Sequence, residues 1–399
     1  MSQAATLTVP NRILPTLVFS QFAGTSLWFA GNAVLPELQR SLQLQDQALG
    51  LLTSSVQLGF IVGTLCFAVL SLADRVSPRL LFLICALLGA GLNALVPLFA
   101  QSITGVLSLR AATGFLLAGI YPVGMKIAAS WYSNRLGKAI GYLVGALVLG
   151  TAFPHFLRGL GTSLQWQSML FAISLLAATG GVLLYLFVPD GPYLSKGTTF
   201  DVRNIIKVFG KKEFRAAAFG YFGHMWELYT FWAFVPFILV YVLPQLSAQQ
   251  VSVYSFTVIS TGALGCVLGG YFSQYVGSGR VAFIQLLFSG LCCLLSVVVF
   301  KFSSVYTLLP FLLFWGIVVA GDSPQLSALT AQTAPSHLVG TALTVVTSIG
   351  FAITIVSIQL TGFVLSLLPP YNTFILLAAG PALGLLSLKK LLKKTKPAL

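Results

Sequence analysis

Ala118-Gly119-Ile120-Tyr121-Pro122 and Ala320-Gly321-Asp322-Ser323-Pro324 are two versions of one pentapeptide, set 202 residues apart in a chain of 399. Each lies in an apolar run long enough to cross a hydrocarbon core about 30 Å thick. Downstream, Gly137-Lys138-Ala139 is echoed by Gly340-Thr341-Ala342 at an offset of 203. The register therefore holds across two spans with a one-residue insertion. A repeat on this scale predicts two halves built alike and oriented alike.

Composition places those halves in a membrane. The chain is 57% hydrophobic and 8% charged, where a soluble domain carries about 25% charged residues. Twelve apolar runs reach helix-spanning length, at 13–35, 48–70, 79–100, 103–127, 137–158, 164–188, 214–243, 249–275, 280–300, 303–327, 338–365 and 371–388. Pro, Gly, Asn or charge separates them. The expected fold is an all-α membrane protein of twelve transmembrane helices in two six-helix bundles. The bundles occupy 1–188 and 214–399, and a basic cytoplasmic linker at 189–213 joins them.

The net charge of +14 is distributed as a membrane requires, not as nucleic acid would. With both termini in the cytoplasm, 18 of the 22 basic residues fall on the inner side, and only Arg40, Arg158 and Lys301 on the outer. Arg110 is left within the bilayer. This asymmetry selects an even number of spans. The C-terminal lysine cluster is expected on anionic head groups, and nucleic acid is not an expected partner. All five cysteines lie inside apolar runs without C-x-x-C spacing, and His155, His224 and His337 are scattered. Neither disulfides, metal nor any other cofactor is expected. A phosphate-binding glycine loop is missing, so direct ATP use is not expected. Met1 to Arg12 leads straight into a full span, as an uncleaved insertion signal does.

The candidate chemistry centres on Gly223 to Phe237, Gly-His-Met-Trp-Glu-Leu-Tyr-Thr-Phe-Trp-Ala-Phe-Val-Pro-Phe. Helical rise places Glu227 roughly 18 Å deep, near the midplane. A carboxylate there is costly unless it faces a cavity or a partner. At helical spacing Gly220, Gly223, His224, Glu227, Phe231 and Phe234 share one face. The plainer alternative is a protonated Glu227 that ties two helices together. Arg110 cannot shed its proton, so it needs a carboxylate, a carbonyl cage or an anionic substrate. Asp322 is either a second proton site or a cap on the helix restarting at Pro324. Trp28, Tyr121, Phe231 and Phe234 are candidates for an aromatic lining, suited to a cationic or flat organic solute. Lys126 is read as a snorkelling residue at the inner surface.

The loop Leu70-Ser71-Leu72-Ala73-Asp74-Arg75-Val76-Ser77-Pro78-Arg79 resembles the signature loop of the major facilitator superfamily, Gly-x-Leu-Ala-Asp-Arg-x-Gly-Arg-Arg/Lys. Asp74, Arg75 and Arg79 match it; Leu70, Ser77 and Pro78 depart. The counterpart, Gly270 to Arg280, keeps glycines and carries Gln274 at the acid position. Arg110-x-x-x-Gly114 resembles the superfamily's buried-arginine motif, which is linked to proton movement. Leu116 to Lys126, Gly223 to Tyr229 and Asp322 to Gln325 resemble a prokaryotic subgroup loosely described as cyanate-permease-like. The drug-exporter motif survives only as Gly150-Thr-Ala-Phe-Pro154-His155, and a nitrate signature is lacking.

The resemblance implies transport of an unspecified small molecule by alternating access, with the proton as coupling ion. It implies a monomer in the cell membrane, the inner one in a Gram-negative cell. Arg110, Glu227, His224 and Asp322 would carry substrate or proton, and Asp74, Arg75, Arg79 and Arg280 would form a cytoplasmic latch. A transport-inactive sensor or scaffold and an intramembrane lipid-modifying enzyme stand as the alternatives.

Overall fold

The computed structural model describes residues 9–42, 48–132, 136–161, 165–194, 208–302, 304–335 and 338–392. Most of the expected linker, His337 and the lysines beyond Leu392 lie outside these residues. Eleven helices among the described residues are long and apolar enough to span a membrane, and Ile13–Thr25 is a shorter apolar helix. Together they make the twelve spans of two six-helix bundles. An even number of antiparallel passes returns Ile13 and Leu392 to one end of the molecule, here called the terminal end.

Among the described residues the twelfth span passes through a 3-10 segment, Phe374–Ala378, and the first, fourth and tenth spans are broken. The first runs as Ile13–Thr25, loses its regular ladder over Ser26 to Phe29, and resumes as Ala30–Ala33 and Leu35–Leu42. The fourth divides into Ile103–Leu117 and Tyr121–Trp131, and the tenth into Val305–Gly321 and Ser323–Thr333. The last two breaks are the repeated pentapeptide. In each, the proline sits in the first turn of the restarting helix, where its missing N–H costs nothing. The seventh span, Lys212–Val242, and the eighth, Ala248–Val276, exceed the roughly 20 residues that a perpendicular crossing needs. Both must tilt or overhang.

Small residues let the helices of each half approach closely. A side chain on Gly59 would collide with the Ala111 carbonyl, closing the second span onto the fourth. In the other half, one on Gly265 would collide with the Ile317 carbonyl, closing the eighth onto the tenth. This is small-residue packing of the kind bilayers favour, since lipid supplies no hydrophobic drive between helices.

The halves meet along two seams, the fifth span against the eighth and the second against the eleventh. Polar ties across the seams lie at the end away from the termini. Gln359 Nε2 donates to Ser54 Oγ (2.9 Å), and Gln249 Nε2 to the Gly159 carbonyl (2.9 Å). At the terminal end a groove runs along the fifth and eighth spans, lined by Lys138, Tyr142, Tyr271 and Gln274, while the helices stay in contact beneath it at Gly137 and Gly270.

Candidate functional site: a central aromatic cavity beside buried titratable groups

The periodicity of the seventh span decides what lies between the halves. Tyr221, Met225, Leu228, Tyr229 and Trp232 recur at helical spacing and line a central cavity. The fourth span contributes Tyr121, the fifth Val144, Leu147 and Val148, the tenth Ala320 and Ser323, and the eleventh Phe351. Tyr121 and Ser323 are the corresponding positions of the two pentapeptides, so both helix breaks feed the cavity. Its free volume is only about 20 Å³, space for a single water molecule. Trp28 closes one side, with ring centroids 5.6 Å from Tyr229 and 5.3 Å from Phe351. Phe60 lies 4.5 Å from Phe351 in the same group.

The titratable groups sit just behind this lining. His224 Nδ1 stands 2.8 Å from Asp322 Oδ1, with side-chain exposures of 1% and 0%. Asp322 occupies the N-cap position of Ser323–Thr333, yet its side chain makes no capping bond. Its partner is the seventh span. Glu227, one turn from His224, is turned into the C-terminal half and is 0% exposed. Its Oε1 accepts from Trp315 Nε1 (2.6 Å) and Cys293 Sγ (3.3 Å), and its Oε2 from Ser289 Oγ (2.9 Å). Glu227 thus ties the seventh span to the ninth and tenth.

Arg110 lies in the other half, 1% exposed. Its Nη2 donates to the Leu27 and Trp28 carbonyls at 2.8 and 2.6 Å, and its Nη1 to Asn93 Oδ1 at 3.1 Å. The carbonyls are those freed where the first helix loses its ladder. Gly31 makes room: a Cβ there would lie 3.1 Å from Arg110 Nε. Backbone carbonyls and Asn93 thus form a cage around the Nη atoms of this arginine.

The aromatic candidates separate. Tyr121 lines the cavity and Trp28 closes it, whereas Phe231 stacks on Trp315 (4.5 Å) and Phe234 packs on Phe374 (5.9 Å). The face shared by Glu227, Phe231 and Phe234 is the one buried within its own half. The latch candidates are near the terminal end. Asp74 pairs with Lys126 at 2.5 Å, and Lys126 also donates to the Ala73 carbonyl, so Lys126 is engaged rather than reaching for lipid. Arg79 lies over the Tyr185 ring (5.2 Å), while Arg75 and Arg280 are exposed. Arg158, placed on the outer side, forms a forked pair with Glu37 at 2.7 and 2.9 Å.

Asn93, Ser289, Cys293, Trp315 and Phe351 were not legible as site residues. Ser323 was within reach, because the 202-residue offset maps it onto Tyr121. Nothing in the sequence singles out Phe351.

The Major Facilitator Superfamily model matches residues 17–358. An uncharacterized MFS-type transporter of Methanocaldococcus jannaschii is 26% identical over 172 residues, 43% of this chain and 44% of that protein. The D-galactonate transporter of Escherichia coli O6:H1 is 30% identical over 131 residues, 31% of this chain and 29% of that one. The chain thus aligns with less than half the length of either curated relative. Among solved structures, the human organic anion transporter MFSD10 (TETRAN) superposes with a TM-score of 0.71 at 18% identity, covering 95% of this chain and 100% of that one. A bacterial homologue of the human lysosomal transporter Spinster, inward-facing and occupied, gives 0.69 at 15% identity, with 96% of each chain covered. With the family model running across both halves of a fold built from a repeated helix break, the chain belongs to the Major Facilitator Superfamily.

Proposed function

We propose that the chain is a secondary active, proton-coupled membrane transporter, and that its two halves carry out transport by exposing the central cavity alternately to the two sides. The contact between His224 and Asp322 carries this reading. Each member is the sequence neighbour of a lining residue, Met225 in one case and Ser323 in the other. A proton held by the pair therefore lies immediately behind the solute. It also bridges the seventh span and the break of the tenth, two elements whose separation would change how firmly it is held. Buried titratable groups in a span are functional candidates by default, because an idle charge is too costly to keep there.

The polar ties across the seams are confined to one end, which suits halves that rock against each other. The basic residues favour cytoplasmic termini in the cell membrane, which would make the tied end the outer one. The cavity belongs to a single chain, and the transporter acts as a monomer.

The test is accumulation in proteoliposomes. Vesicles holding the purified chain are incubated with a mixed metabolite extract, with and without a pH gradient, and their contents are read by mass spectrometry. A solute that accumulates only with the gradient supports the proposal. Accumulation that survives collapse of the gradient would remove the proton from the mechanism and leave the transporter intact.

A further inference from the structure

We infer that the transported solute is an uncharged, flat organic molecule bearing hydrogen-bond acceptors; this rests on the central cavity being the solute site of the transporter proposed above. The cavity lining contains no Asp, Glu, Lys, Arg or His. The nearby charged groups lie behind the lining and are paired within the protein. Glu227 is held by Trp315, Ser289 and Cys293, the Arg110 Nη atoms by Asn93 and the carbonyls of the first span, and Asp322 is in ion-pair contact with His224, whose Nε2 makes no hydrogen bond. An ion entering this cavity would give up its hydration and meet no counter-charge in the lining itself.

The rings favour a planar guest. Tyr229 lies 5.1 Å from Phe351 and 5.2 Å from Trp232, and Tyr121 and Tyr221 complete the wall. Aromatic residues so arranged can part to admit another ring at stacking distance. They also offer faces to a cation, so a second observation is needed to choose. The indole Nε1 of Trp232, which lines the cavity at 1% exposure, has no hydrogen-bond partner; nor has Nε1 of Trp28, which packs on Tyr229 and Phe351. An indole N–H is only a donor, and a buried one calls for an acceptor. A cation such as a quaternary ammonium supplies none. An anion supplies acceptors together with a charge that the lining does not match. A neutral ring compound carrying a carbonyl satisfies both conditions. The substrates named for the galactonate and organic-anion transporters belong to those proteins.

The experiment uses four probes of one ring size: benzamide, benzoate, benzyltrimethylammonium and toluene. Their affinities for the purified full chain are measured at neutral pH by calorimetry. Benzamide is expected to bind about ten-fold or more tightly than either ion, since both ions are desolvated uncompensated. It should also exceed toluene by roughly three- to ten-fold, the worth of one buried hydrogen bond. Trp232→Phe keeps an aromatic face without the N–H and should bring the benzamide-to-toluene affinity ratio down toward one. Tightest binding by benzoate or benzyltrimethylammonium would overturn the inference, as would equal binding of toluene and benzamide or binding of none of the four. The transporter reading is scored separately, by gradient-driven accumulation of any solute in the proteoliposomes.

Discussion

Asp322 Oδ1 and His224 Nδ1 are 2.8 Å apart although they belong to different spans, and neither side chain is more than 1% exposed. Asp322 is the junction residue of the tenth span, between Val305–Gly321 and Ser323–Thr333, and its φ of −76° and ψ of −19° stay in the right-handed helical region. From that position its side chain meets the seventh span. Its repeat counterpart, Ile120, precedes the equivalent break with an apolar side chain. One architectural element thus serves as a polar junction in the C-terminal half and an apolar one in the N-terminal half.

If the pair holds the coupled proton, Asp322→Asn leaves His224 without its charge partner and removes the second proton acceptor. Gradient-driven accumulation should fall to that of vesicles without a gradient, and its dependence on external pH should flatten. Solute-for-solute exchange should persist, because exchange requires no net proton release. A variant with the wild-type pH profile would move the coupling site away from this pair.

Glu227→Gln examines the other buried carboxyl. The three donors around Glu227 suit an oxygen acceptor, and the amide oxygen of glutamine can keep Trp315 and Cys293. Its NH₂ would face Ser289 Oγ, which can accept by turning its one proton to the Leu286 carbonyl (3.1 Å). The variant should therefore fold, with a stability change of about 1 kcal/mol or less. Transport then decides its role. Loss of gradient-driven accumulation with exchange retained makes Glu227 a second coupling site, whereas near-normal transport leaves it as the tie between the seventh, ninth and tenth spans.

The fold was open to sequence reading because membrane burial writes itself into composition and because the pentapeptide repeats. The site was legible only in part. Arg110, His224, Glu227 and Asp322 stand out since charge is rare in these spans, but a charge signals cost and not direction. Where each one points depends on small residues on neighbouring helices. Gly31 admits the Arg110 guanidinium to the first span, and a Cβ on Gly223 would collide with the Gly380 carbonyl of the twelfth. The aromatic face of the seventh span was ambiguous for the same reason. Rings occur all around that helix, and only its packing against the ninth, tenth and twelfth spans assigns Phe231 and Phe234 inward to their own half and Tyr229 and Trp232 to the cavity.

Arg110 is expected to matter for stability before transport. Its guanidinium satisfies two carbonyls of the broken first span and Asn93. Arg110→Met removes three bonds to a charged donor and leaves those acceptors buried, a loss of roughly 3 kcal/mol or more. Arg110→Lys keeps the charge but cannot reproduce the fork. Both should lower the melting temperature in detergent, Met more than Lys. Unchanged melting in Arg110→Met would show that the cage contributes little and return the arginine to the list of solute-binding candidates.

Ser71 is the only non-glycine residue with positive φ among the described residues, at 50°, and it lies at the head of the signature-like loop. The left-handed region costs an L-residue about 1–2 kcal/mol, and glycine avoids most of this. Ser71→Gly should therefore raise the melting temperature slightly, and Ser71→Val should lower it. The reverse order would mean that the Ser71 side chain contributes more than its backbone costs.

The tied end of the seams allows alternating exposure to be tested directly. Gly159 closes the fifth span and Val253 lies near the start of the eighth, so the two come from different halves. A Cβ built on Gly159 lies 3.5 Å from Val253 Cα, within the reach of a disulfide. Gly159→Cys with Val253→Cys, in a chain whose five native cysteines are replaced, should therefore cross-link under mild oxidation. If the halves must part at this end for the cavity to reach the far side, the cross-linked protein stops accumulating solute. Adding reductant should restore accumulation to the level of the uncross-linked double variant. Binding from the terminal end should survive the cross-link, since the tie holds the halves as they already stand. A fully cross-linked protein that transports at the reduced protein's rate would show that this seam stays closed throughout the cycle, and the moving surfaces would then have to be sought where the second span meets the eleventh.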